Sequence, residues 1–184
     1  MNGVDCMKDK SRLGFIERLF LKCVRQVYYK VQKDKKKQYD RFLPFADYLV
    51  ERSERAQLYG FDEGSTVYDN VLIFGHVNVG KHTWIGSNVI LDGSGELTIG
   101  SYCSISTGVQ IYSHDSIKWA VSGGVEPYEY AATYIEDNCY IGPNVIITKG
   151  VRIGRGSIIG ANSFVNRDIP TGSKAFGNPA VLKI

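Results

Sequence analysis

The sequence predicts a mainly β chain: a parallel solenoid of about five coils behind an N-terminal helical appendage. Three observations carry that prediction. Aliphatic residues recur every six positions, at Val67, Ile73, Val79, Ile85 and Leu91, then Ile99, Ile105 and Ile111, then from Ile135 through Ile141, Ile147, Ile153 and Ile159 to Val165. The following residue is often small, as at Gly80, Gly86, Gly100, Ser106, Gly142, Gly154 and Gly160. The spacing breaks twice, at Gly93-Ser94-Gly95-Glu96 and over a longer stretch after Ile111. An amphipathic helix repeats near 3.6 residues and an ordinary strand near 2, so neither gives a period of six. Short strands joined by tight corners do, and stacking them buries one continuous aliphatic column.

Residues 1–60 form a basic segment ahead of the repeat. They carry 14 Lys and Arg against 8 Asp and Glu, a net of +6, whereas residues 61–184 carry a net of −3. Leu13, Ile16, Phe20, Cys23, Val24, Val27 and Val31 lie on one helical stripe, with Arg12, Arg18, Lys22, Arg25 and Lys30 over the remaining surface. A Lys-rich stretch, Lys33 to Lys37, follows, and a second helix is expected from Pro44 to Gly60. This segment reads either as a cap on the solenoid or as a basic amphipathic helix touching an anionic membrane surface. No recognised reading module for nucleic acid accompanies the charge.

No stretch is long or apolar enough for a transmembrane helix, and the charged N-terminus shows no secretory signal. Cys6, Cys23, Cys103 and Cys139 have no metal-ligand spacing, and Cys103 and Cys139 fall at the small inward position of their repeats. Reduced buried thiols and a cytoplasmic location, with peripheral attachment to the membrane's inner face as an option, are expected.

The repeat resembles the hexapeptide-repeat, left-handed β-helix acyltransferases, particularly the bacterial sugar and polysaccharide O-acetyltransferases and galactoside acetyltransferase. Ile141-Gly142-Pro143-Asn144-Val145 and Ile159-Gly160-Ala161-Asn162-Ser163 look like standard hexads of that family, and Ile169-Pro170 through Gly177-Asn178-Pro179-Ala180 looks like its closing segment. The resemblance implies a left-handed helix over 61–184, three hexads per coil, a homotrimer with active sites between subunits, and acetyl-coenzyme A as acetyl donor. No metal is expected. Three hexads per coil stack 67, 85, 105, 141 and 159 on one face, 73, 91, 111, 147 and 165 on the second, and 79, 99, 135, 153 and 171 on the third. Both interruptions then emerge at one corner, in consecutive coils, alongside His76, Lys149-Gly150 and Arg167-Asp168.

The loop at about 112–134 includes His114, which the resemblance makes the catalytic base. A sugar hydroxyl is a weak nucleophile at neutral pH, and imidazole is suited to removing its proton. Gly142 resembles the position whose backbone amide binds the oxyanion. Gly142, Pro143, Ala161, Asn166 and Arg167 match donor-contact positions, with Arg167 suited to a phosphate. Asp92, Ser94, His76 and Trp119 are candidates for acceptor binding; Asp92 reads equally as a cap on its bulge. The expected function is O-acetylation of a sugar hydroxyl in surface polysaccharide or glycoconjugate assembly. N-acetylation of a nucleotide-linked amino sugar and a non-catalytic structural trimer are the alternatives.

Overall fold

The computed structural model describes residues 14–183. Leu13, Arg12 and Cys6 lie outside the described residues. The chain divides into two compact units between Leu49 and Val50.

In the first unit, α1 spans Phe15–Tyr39. The Glu17 carboxylate accepts the N–H of Gly14 at 2.6 Å, satisfying a donor that the helix start leaves unpaired. The helix continues through the lysine run, whose long unbranched side chains favour it. It stops at Asp40, whose left-handed backbone (φ 53°) sends its N–H back to the Lys36 carbonyl at 2.9 Å. A 3-10 turn over Phe45–Tyr48 follows. The Tyr28 ring packs on Phe45 and Tyr48 at 5.5 Å, and the Tyr48 hydroxyl accepts the Leu43 N–H.

The single helix expected from Pro44 to Gly60 is therefore two pieces, the 3-10 turn and α2 (Arg52–Leu58). Tyr48 anchors the first piece to α1. The second belongs to the solenoid unit, where Ala56 is fully buried and Arg55 donates to the Val67 carbonyl and pairs with Asp69. The boundary accordingly falls before α2 rather than after Gly60. No helix of the described residues is long and apolar enough to cross a membrane.

The second unit is a parallel β-helix. Its first face stacks Val67, Ile85, Ile105, Ile141 and Ile159 in register, and its second Ile73, Leu91, Ile111, Ile147 and Val165. The third runs Val79, Ile99, Ile135, Ile153 and then Ile169. The hexad count put residue 171 in that last place. The corner after Val165 is two residues shorter, closed where the Asp168 carboxylate accepts the Arg152 N–H at 2.8 Å, so Ile169 turns inward and Thr171 stays exposed.

The first face has a sixth level, Lys174–Phe176, beyond the five counted from the repeat. The antiparallel strand Val181–Leu182 covers its free edge. Asparagine as well as glycine supplies the left-handed corners: Asn88, Asn144 and Asn162 have φ near 55–58°, and Asn144 donates to Asn162 on the next coil. At Gly108, in the same column, a Cβ would lie 2.3 Å from the Asn144 side-chain oxygen. Cys103 and Cys139 are buried free thiols on the inner column.

An inward and an outward isoleucine, taken from two different strands, give a direct test of the column. Ile147 is fully buried, whereas Ile158 on the outer surface is 42% exposed. In chemical denaturation, Ile147→Ala should lose about 2–5 kcal/mol through lost transfer energy and the cavity left behind. Ile158→Ala should lose under about 1 kcal/mol.

Candidate active site

Both interruptions emerge at the corner that follows the second face. The strand Ile90–Ile99 runs through this corner, with its partner Leu72–Val79 changing register between Gly75 and Val77. The stacking is close: a Cβ on Gly93 would lie 2.1 Å from the His76 carbonyl oxygen. Asp92 comes just before this crossing and is 1% exposed. Its Oδ1 accepts the Ser94 N–H at 3.0 Å, while Oδ2 accepts the N–H groups of Ser113 (3.0 Å) and His114 (3.2 Å). The same Oδ2 lies 2.5 Å from Nδ1 of His114.

An ionised carboxylate is an acceptor only, so Nδ1 carries the proton. The lone pair is then on Nε2, which makes no hydrogen bond among the described residues, and the His114 side chain is 32% exposed. Burial pushes the Asp92 carboxyl upward, but hydrogen bonds from Ser94, Ser113 and His114 outweigh it and lower its pKa to about 2. Asp92 therefore caps its bulge, as one reading of the sequence had it. It also holds the histidine, and it is not placed to meet an acceptor because donors from its own chain occupy both oxygens.

The loop after Ile111 folds back as a small hairpin, His114–Asp115 against Glu129–Tyr130. Between these strands lies the short helix α3, Ile117–Val121. Lys149, at the same corner one coil later, fastens the hairpin to the solenoid: its Nζ is 2.9 Å from Asp115 and 3.1 Å from Glu129. Lys118 reaches the other oxygen of Glu129 at 2.6 Å. Contact with Lys149 lowers the Asp115 pKa, and Lys118, then Lys149, lower that of Glu129. The lysines shift upward in return. Tyr128 and Tyr130 stack on the His114 ring with centroids 6.2 and 5.8 Å away, and Trp119 meets Tyr128 edge-on. A cavity of about 380 Å³ opens beside His114, lined by the hairpin, α3 and the Thr148-Lys149 corner.

The structure sorts the residues expected from the sequence. His114, Asp92, Ser94, His76, Asn166 and Arg167 share this corner across successive coils. Ser94 and His76 are exposed, and so is Arg167, which has no ion-pair partner among the described residues. Trp119 reaches the site through Tyr128. Gly142, Pro143 and Ala161 lie at the preceding corner of their coils. The Gly142 N–H donates to the Ile159 carbonyl at 2.9 Å as part of the ladder, so it is not available to bind an oxyanion. Asp115, Glu129, Tyr128 and Tyr130 escaped the sequence reading, because a hexad count assigns no position to residues inside an insertion. Lys149 was on the right corner and carried no role. Among the described residues, no group of three or more His, Cys, Asp or Glu side chains is arranged to hold a metal ion.

Residues 132–167 match the bacterial transferase hexapeptide family (six repeats). Over those residues the chain carries the hexapeptide repeat, and its parallel β-helix is similar in architecture to hexapeptide-repeat acetyltransferases. It is 35% identical over 118 residues to the galactoside O-acetyltransferase of Lactococcus lactis, covering 64% of this chain and 45% of that protein. It is 32% identical over 108 residues to the Escherichia coli protein WcaF, named for colanic acid biosynthesis acetyltransferase, covering 58% and 57%. The chain spans about half the length of each. Among solved structures it resembles the hexapeptide-repeat acetyltransferase VCA0836 of Vibrio cholerae, complexed with acetyl-coenzyme A. The TM-score is 0.64 and the identity 26%, with 89% of this chain and 87% of that one covered.

The depressed Asp92 pKa sets an acid limit on the corner. A carboxylate with a lowered folded-state pKa contributes stability above its unfolded value, near 3.8, that is lost as pH falls through about 2. Denaturation of the wild type and Asp92→Asn should show the wild type more stable at pH 7, with the gap closing between pH 4 and 2. A gap that stays constant over this range would contradict the assignment.

Proposed function

We propose that the protein is an acetyl-coenzyme A-dependent O-acetyltransferase acting on a sugar hydroxyl, with His114 as general base. One observation carries this reading. Asp92 fixes the His114 ring through Nδ1 and leaves Nε2 as a lone-pair acceptor beside a cavity. An imidazole oriented by a buried carboxylate is the arrangement that proton transfer to and from a reacting hydroxyl requires. The likeness to a galactoside O-acetyltransferase and to VCA0836 in complex with acetyl-coenzyme A supports the donor and the acceptor class.

The reaction proceeds by direct attack. The acceptor oxygen forms a bond to the thioester carbonyl carbon as Nε2 takes its proton. The tetrahedral intermediate then collapses with cleavage of the C–S bond, and the imidazolium returns the proton to the departing thiolate. Asp92 stabilises the imidazolium throughout, and its low pKa keeps it ionised.

For the donor, Asn166 and Arg167 share the His114 corner, and Arg167 suits a phosphate. Gly142, Pro143 and Ala161 lie at the far end of the same strands. A pantetheine arm laid over the outer side of Ile146–Ile147 and Phe164–Val165 spans both groups. The expected assembly is a homotrimer, and the expected role is in surface polysaccharide or glycoconjugate synthesis.

Coenzyme A release with a panel of sugars tests this. His114→Ala should lower kcat by about 10²–10⁴-fold with little change in KM for acetyl-coenzyme A. Asp92→Asn should lower kcat while leaving donor affinity intact, because it frees the ring's orientation and tautomer. The product should be labile to mild alkali, as an ester is and an amide is not. An alkali-stable product would make this an N-acetyltransferase, and undiminished turnover in His114→Ala would remove the base assignment.

A further inference from the structure

The cavity beside His114 narrows the acceptor further. Its volume of about 380 Å³ lies within the usual range for small-molecule sites, about 300–1,000 Å³. Tyr112 and Ile117 supply apolar wall, and Ser116 and Thr148 supply hydroxyls. Its charged groups besides His114 are Asp115 and Lys149, and these two are paired at 2.9 Å. Lys149 also binds Glu129, and Glu129 binds Lys118. Two cations and two anions thus form one continuous set of contacts with no net charge.

An anionic ligand entering here would displace Asp115 or Glu129 from Lys149 and face those carboxylates at close range. A cationic ligand would meet Lys149 on the cavity wall. A ring bearing hydroxyls meets neither cost, because its donors and acceptors can pair with Ser116, Thr148 and Nε2 while its faces lie on Tyr112 and Ile117. Arg167 and Asp168, the next charges along this corner, belong to a later coil and do not line the cavity.

We propose, resting on the acetyl-transfer reading above, that this cavity is the acceptor subsite and selects an uncharged, hydroxyl-bearing sugar ring. The ion set built on Lys149 acts as a charge filter against uronic acids, sugar phosphates and protonated amino sugars.

The test compares kcat/KM at pH 7 for matched methyl hexopyranosides in the gluco, galacto and manno series. Each is supplied as the neutral sugar, the uronic acid, the 6-phosphate and the 6-amino-6-deoxy analogue. The wild type should prefer the neutral member by at least about tenfold. Glu129→Gln leaves one excess cation and should raise uronate use relative to neutral sugar roughly 3–10-fold. Lys149→Gln leaves one excess anion and should shift the amino-to-neutral ratio upward by a similar factor. Ratios within one variant cancel any general loss of hairpin order.

A wild type that prefers a charged acceptor overturns the inference, and so do ratios that fail to move in opposite directions. If turnover depends on His114 in either case, the acetyl-transfer reading stands without it. No turnover with any member removes both.

Discussion

The candidate site depends on a single buried carboxylate. Asp92 belongs to one coil, while Ser113 and His114 belong to the next, and its two oxygens accept hydrogen bonds from both. It holds its own bulge, the root of the inserted loop and the histidine ring. Burying a charge is unfavourable unless it is fully hydrogen-bonded, and this one is bonded on every side the chain offers. Removing any of those donors would leave a charge in a protein interior, so the geometry of the corner and the tautomer of His114 are set together. Gly93 completes the arrangement, since only a residue without a Cβ lets the bulge pass so close to the His76 carbonyl.

The solenoid explains why such a site sits at a corner. Each coil closes its backbone hydrogen bonds on its neighbours, as when Gly86 donates to Ile105, Ser106 to Ile141 and Gly142 to Ile159. Inward positions are filled by fully buried aliphatic side chains. Faces and interior thus have little freedom to vary. A corner can lengthen without disturbing the register on either side, and here two consecutive coils do so at one edge. Lys149, from a third coil, then ties the longer insertion down through Asp115 and Glu129. The hairpin is long enough to present a histidine yet is fixed at both its root and its flank, which is what pre-organised chemistry demands.

Much of this was legible in the sequence because the period of six fixes register without reference to distant residues. Every inward position from Val67 to Val165 on the first two faces follows from counting, and so does the shared corner of Asp92 and His114. Counting failed where the period itself changed. The shortened corner before Ile169 moved the last inward residue from 171 to 169, and the sixth level came from a closing segment outside the repeat. It also failed inside the insertion, where the partners of Lys149 are set by hairpin pairing and not by the repeat. In the N-terminal region, the apolar stripe correctly marked a helix. Nothing in its pattern announced that Tyr48 would turn back on Tyr28 and leave α2 to the solenoid.

The same ladder that makes the fold predictable constrains where an oxyanion can be stabilised. That task needs N–H or O–H donors aimed at the developing charge. Gly142 cannot serve, and the reason extends beyond one residue. At the His114 corner the N–H of Tyr112 is bound to Ile147, those of Ser113 and His114 to Asp92, that of Thr148 to Val165 and that of Gly150 to Ala131. A β-helix uses these corner amides to hold its own coils together, so this stretch of ladder has few left for a reaction intermediate. On the acetyl-transfer reading, groups outside the ladder are then the natural source of that stabilisation. The Ser116 hydroxyl, on the cavity wall, is one such group, and the N–H groups of a neighbouring copy brought against this edge are another. An interface between copies at this corner would in that case complete the chemistry as well as bury surface.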